Sequence, residues 1–179
     1  MVTTHATMNE VSRRFWPAAG RRTPAKRTWV WLGAVAVATG LLGMALLPPF
    51  VSPVLRALLM DGFSSVCHQM PGRSPHVQGI ALAVCDRCLG IYGGLVLGSA
   101  ATRWWRAAWA RIRRWGFVPL ALLLVPAGVD WIGPVLGLWE SFPLSRALTG
   151  WIAGVGGGAF VVDRVLASVA RRSSFDGDG

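Results

Sequence analysis

The chain is short of acidic residues, of charge altogether and of histidine, and each shortage excludes something. Eight Asp and Glu stand against eighteen Lys and Arg in 179 residues, and charged residues make up only 15% of the chain, where a soluble domain carries roughly 25%. A chain so poor in charge does not suit an ordinary water-soluble domain. Three histidines, three cysteines and a single tyrosine leave few groups for acid–base, nucleophilic or metal chemistry. No P-loop, GxSxG, HExxH or dinucleotide fingerprint occurs, so the enzymes that depend on those motifs are excluded. The basic residues stand in blocks between apolar runs and are not interleaved with aromatics, so no nucleic-acid partner is expected.

What is abundant is apolar. The chain is 53% hydrophobic with ten tryptophans and a mean hydropathy of +0.47. Four stretches, residues 29–47, 83–102, 115–131 and 144–165, approach the ~20 residues that cross a bilayer core. The expected fold is an all-α integral membrane protein, a four-transmembrane-helix bundle over residues 29–167 with an outer loop at 48–84. A basic tail at 1–28 and a second tail at 168–179 are expected to be disordered. Fourteen of the eighteen basic residues fall in 1–28, in 103–114 or at the C-terminal end, while the two opposite connections hold only Arg56 and Arg73. That asymmetry predicts both termini in the cytoplasm, N-in/C-in, for a multi-pass protein of the plasma (inner) membrane. Eight tryptophans near span ends fit an interfacial belt. The first span is read as retained: its basic leader is long, and Pro48-Pro49 stands where a signal peptide has a small-x-small cleavage site. The lipid bilayer is the one partner implied. Protein partners and homo-oligomer formation are left open.

Two spans carry small residues at every fourth position. Gly90, Gly94 and Gly98 mark the second, and Gly150, Gly154 and Gly158 the fourth. Such stripes let helix backbones approach closely in lipid, so these two spans are expected to pack in parallel. Asp86 and Arg146 stand one step earlier on each stripe, placed to pair. Asp130, near the outward end of the third span, is either a partner for Arg87 or Arg146 or a functional group, since a charge inside a span is costly.

The chemistry gathers in 22 residues: Cys67-His68-Gln69-Met70-Pro71-Gly72-Arg73-Ser74, then Cys85-Asp86-Arg87-Cys88. Cys85 and Cys88 lie one helical turn apart, with Tyr92 continuing their face. Three chemistries suit the set. Cys67, His68, Cys85 and Cys88 are the ligand types of a tetrahedral site for zinc or another transition metal, with His76 as a substitute for His68. A CxxC at a helix start, with Arg87 favouring a thiolate, suits a thiol oxidoreductase using Cys85 and Cys88, with Cys67 resolving and a quinone between the helices. A non-enzymatic scaffold with a structural disulfide is the third, although the odd cysteine count leaves one thiol over. Arg73, Arg87, Asp130 and Arg146 form a charged layer that supports the ligands or holds an anion, which also admits a hydrolase or transferase acting on lipid phosphate.

At these residues the sequence resembles domain-of-unknown-function family 2085, a group of bacterial and archaeal membrane proteins. The resemblance rests on Cys67, His68, Gln69, Pro71, Arg73 and Ser74; on Cys85, Arg87, Cys88, Gly90, Tyr92 and Gly94; on Asp130; and on Arg146, Thr149 and Gly150. It covers roughly residues 60–160 and implies membrane location and a shared site, but no reaction. Asp86 stands where the family pattern carries Ala. A looser similarity of architecture links the chain to quinone-coupled disulfide-forming membrane enzymes, whose second cysteine pair is absent here.

Overall fold

A computed structural model describes residues 24–112 and 118–175. Helix α1 (Pro24–Leu46) is followed by a 3-10 turn at Pro48–Phe50, helix α2 (Pro53–Ser64) and a second 3-10 turn at Pro71–Arg73. A two-stranded hairpin, β1 (His76–Val77) and β2 (Ile80–Ala81), then leads into α3 (Asp86–Ile112), α4 (Val118–Val135) and α5 (Pro143–Phe175). Most of the expected N-terminal tail and the last four residues lie outside the described residues, and α5 continues helically to Phe175.

Local chemistry sets these boundaries. Pro48 and Pro49 lack the N–H groups that would continue α1. Pro53 opens α2 at a first-turn position, where its missing donor costs nothing. Val77 pairs with Ile80 across a two-residue turn in which Gln78 and Gly79 both take positive φ, 53° and 76°, as a type I′ hairpin turn requires. Helix α4 ends in a Schellman motif: Gly137 has φ 69°, its N–H reaches the Pro134 carbonyl at 3.2 Å, and the Leu138 N–H reaches that of Gly133 at 3.0 Å. The chain then folds Trp139 back over Gly133, where a side-chain carbon would strike the indole ring. The 48–84 connection is therefore more than a loop, since it holds α2, two 3-10 turns and a hairpin.

Three helices, over Lys26–Leu46, Val118–Val135 and Pro143–Val169, are long and apolar enough to cross a membrane. They present Trp29, Val37, Leu122, Val125 and Val161 outward, which suits lipid better than water. Helix α3 lies outside that set. Asp86 and Arg87 at one end and Arg103 with two tryptophans at the other dilute its apolar content.

Its tightest partner is α5. A Cβ added to Gly90, Gly94 or Gly98 would collide with the backbone of Ala147, Trp151 and Val155. One added to Gly150, Gly154 or Gly158 would collide with that of Arg87, Ile91 and Leu95. Partner numbers rise together along both helices, so α3 and α5 run parallel. Helix α1 runs the other way: the Trp31 indole donates to the Ser99 carbonyl at 3.0 Å, while the Ala83 N–H donates to the Ala45 carbonyl at 3.2 Å. Helix α4 is likewise antiparallel to α5, with Ser145 on Asp130 at one end and Leu123 on Gly156 further along. The four long helices thus alternate in direction, with the cysteines at the end where α3 and α5 begin.

Gly94→Val is expected to destabilise the bundle by about 1–3 kcal/mol or more, read as a lower midpoint in an SDS titration followed by circular dichroism. Gly43→Val, at an α1 site with nothing within 4 Å of the added carbon, should leave that midpoint unchanged.

Candidate functional site

The last turn of α2 delivers Cys67, whose N–H donates to the Phe63 carbonyl at 2.9 Å. The chain then reverses at Gln69, which takes φ 47°, a left-handed conformation uncommon for a residue with a Cβ. From there the Gln69 side-chain amide donates to two carbonyls, Met60 of α2 at 2.6 Å and Ala83 ahead of α3 at 2.9 Å. Ala83 is itself tied to the end of α1 through Ala45, and the Leu82 N–H reaches the Pro75 carbonyl at 2.9 Å. One amide side chain therefore staples α2 to the mouth of α3. Sequence reasoning assigned Gln69 no role, although its position directly after Cys67-His68 was the available signal.

The staple brings sulfur together. The Cys85 N–H donates to the Cys67 Sγ at 3.2 Å, and the Sγ atoms of Cys67, Cys85 and Cys88 all lie within 4.8 Å of one another. All three are free thiols, with Cys67 buried and the others half-buried. Around them pack Ala45, Phe63, Ala83 and Val84, with Met60, Leu89 and Tyr92 at the margin. Phe63 and Tyr92 meet edge to face at 5.9 Å between centroids. His68 is exposed and lies outside the group, as does His76 on β1. Of these two neighbours Cys67 faces inward and His68 outward.

Cys85 precedes the first residue of α3. Hydrogen bonding from the Cys88 thiol, opposed by burial and aided by the Cys88 backbone and the Cys67 thiol, lowers its pKa to about 5. A thiolate at a helix start is also favoured by the amide dipoles. Arg87 is engaged elsewhere, since its guanidinium is ion-paired with Asp130, so the thiolate does not depend on that cation.

A layer of ion pairs lies beside the thiols. Arg146 donates through Nη2 and Nε to one Asp86 oxygen at 2.9 and 3.2 Å, and through Nη1 to the Ser141 carbonyl at 2.6 Å. Asp130 accepts from Arg87 and, through its other oxygen, from Ser145 at 2.9 Å. Asp86, Asp130 and Arg146 are all buried. Two adjacent residues, Asp86 and Arg87, therefore reach α5 and α4 respectively and hold three helix ends together. Breaking either pair strands a buried charge, which costs about 3–5 kcal/mol. Arg73 is exposed and takes part in neither pair.

Similarity to known proteins follows the same residues. A family described as predicted membrane protein, DUF2085, matches residues 67–160. An uncharacterized protein of Methanocaldococcus jannaschii is 36% identical over 107 residues, 59% of this chain and 64% of that relative. An uncharacterized protein of Methanothermobacter thermautotrophicus is 36% identical over 96 residues, 52% of this chain and 82% of its own length. The chain thus spans just under two thirds of the first relative. No solved structure matches. The matched stretch begins at Cys67, takes in both cysteine motifs, the Asp86–Arg146 and Arg87–Asp130 pairs and both glycine stripes, and covers more than half of the sequence; the chain belongs to the DUF2085 family of predicted membrane proteins.

Proposed function

We propose that this protein binds a soft transition metal ion, such as zinc or copper(I), through Cys67, Cys85 and Cys88 on the extracytoplasmic rim of the plasma membrane. The observation that carries the reading is the convergence of three sulfurs within 4.8 Å of one another. Sulfurs held at about 2.3 Å from one ion stand roughly 3.8 Å apart, so the trio needs to close by about 1 Å at most. Thiolate ligands select such metals over the hard cations. With His68 at the surface, the protein supplies three ligands and leaves one position for water, a partner's ligand or a substrate. An open position suits an exchangeable or reactive metal better than a purely structural one.

The membrane reading supports that placement. Helix α3 runs parallel to α5 along six glycine contacts, and α5 is apolar and long enough to span. It follows that α3 shares its depth and serves as the fourth span. Fourteen of the eighteen basic residues fall in three sequence blocks that adjoin the start of α1 and the ends of α3 and α5, and those helix ends lie opposite the cysteines. The positive-inside preference then gives N-in/C-in and an extracytoplasmic thiol site. The exposed apolar residues Val54, Leu55 and Leu58 of α2 suit a short helix resting at the membrane interface.

A second reading is favoured by the acidified Cys85 thiol. In it, Cys85 and Cys88 lose two electrons and two protons to a quinone, giving a disulfide and the quinol. Cys67 is the resolving thiol.

Anaerobic purification, metal analysis and thiol titration separate the two. About one ion per chain with no disulfide is expected, lost in Cys67→Ser, Cys85→Ser and Cys88→Ser and retained in His68→Ala. A metal-free protein with a reducible Cys85–Cys88 bond would falsify the metal reading and support the redox one. Metal affinity should fall on acidification, by about tenfold per pH unit for each thiol that must still ionise. Topology is tested in a background with the native cysteines replaced by serine. A membrane-impermeant maleimide added to intact cells should label Ser65→Cys and spare Ser168→Cys; the reverse pattern would place the thiols in the cytoplasm.

A further inference from the structure

Two adjoining clefts open beside the ion-pair layer where α4 gives way to α5. The larger, about 540 Å³, is lined by Arg73, Trp139, Glu140, Ser141 and Arg146 among others. That volume falls within the roughly 300–1,000 Å³ of small-molecule sites. The smaller, about 220 Å³, shares Arg73 and Ser141 and adds Arg87, Asp130 and Trp131.

Most of the charge in these walls is already matched. Arg146 is bound by Asp86 and Arg87 by Asp130. Among the described residues, two charged side chains of the larger cleft carry no ion pair, Arg73 and Glu140. They have opposite signs. The Ser141 hydroxyl accepts only a long contact from Arg146, at 3.4 Å, and keeps its proton to donate. The unmatched groups are thus a guanidinium and a hydroxyl that can donate, and a carboxylate that can accept. The larger cleft also offers the Trp139 ring, whose face attracts a cation.

A simple anion would satisfy Arg73 and be repelled by Glu140, whereas a ligand bearing both charges satisfies the two together. We infer that the clefts bind a phosphate–ammonium zwitterion, with phosphate oxygens on Arg73 and Ser141, and the ammonium on Glu140 and Trp139. An ethanolamine phospholipid headgroup and free phosphoethanolamine share this chemistry. The surroundings favour the lipid, because Trp131, Leu136 and Leu138 are all more than half exposed beside the clefts and offer acyl chains an apolar surface. The inference does not depend on whether the thiols hold a metal.

The test uses the purified full-length chain in detergent, mixed with phosphatidylethanolamine, phosphatidylglycerol or phosphatidylcholine, with bound lipid counted by native mass spectrometry. Phosphatidylethanolamine should be retained about tenfold over the other two, the worth of one charge-assisted hydrogen bond. Arg73→Ala should weaken retention of all three lipids. Glu140→Gln should abolish the preference for ethanolamine over glycerol, lowering retention of phosphatidylethanolamine and raising that of phosphatidylglycerol, whose net negative charge the carboxylate repels. Competition by free phosphoethanolamine would assign recognition to the headgroup alone, and its failure would assign a share to the acyl chains; either supports the site. Equal retention of the three lipids by the unaltered protein, or a preference that survives Glu140→Gln, overturns it. Both variants lie at exposed positions, and an unchanged SDS midpoint confirms that they remain folded.

Discussion

Backbone-to-backbone contact between α3 and α5 is the constraint from which the rest follows. In lipid there is no hydrophobic drive to bring two apolar helices together, so association relies on close packing and on polar contacts. Six glycines on facing stripes let the carbonyls of one helix rest against the other. Once that register is set, Asp86 and Arg146 come level at the ends of the stripes and pair. Arg87, one residue further around, is directed at Asp130 of α4. The charges are affordable in a membrane bundle because the glycines have already decided which partners meet.

The thiol group stands on the same helix end but is closed from the opposite side. Here the agent is Gln69, whose single amide spans two carbonyls, those of Met60 and Ala83. A left-handed residue is costly, and the two hydrogen bonds offset that cost. The result is a pocket with sulfur inside and imidazole outside. That division leaves sulfur as the sole donor type of the cluster and His68 to solvent.

Much of this was legible in the sequence for physical reasons. Residues at intervals of four betray a helix face whatever the overall hydropathy, so the contact between Gly90–Gly94–Gly98 and Gly150–Gly154–Gly158 could be read directly. The Asp86–Arg146 pair followed from the same arithmetic, and the cysteine cluster from spacing plus a helix start. Two things resisted. Helix α2 is only 12 residues long and sits between prolines, so it has too few turns for a period to stand out. The fate of His68 was the second, because nothing in residue order fixes which of two neighbours, Cys67 or His68, faces inward. Helix α3 shows the converse: its charged ends mask it from a hydropathy window, while its glycines identify the partner beside which it lies.

The two polar clusters draw on different portions of the chain, and this has a bearing on biosynthesis. Every residue that positions the sulfurs, from Ala45 through Tyr92, is synthesised before α4 and α5. The buried carboxylate of Asp86 has no such independence, because Arg146 arrives some sixty residues later. A nascent chain therefore holds every residue of the thiol pocket while Asp86 still waits for its base. The order of translation makes the sulfur residues the older of the two sets.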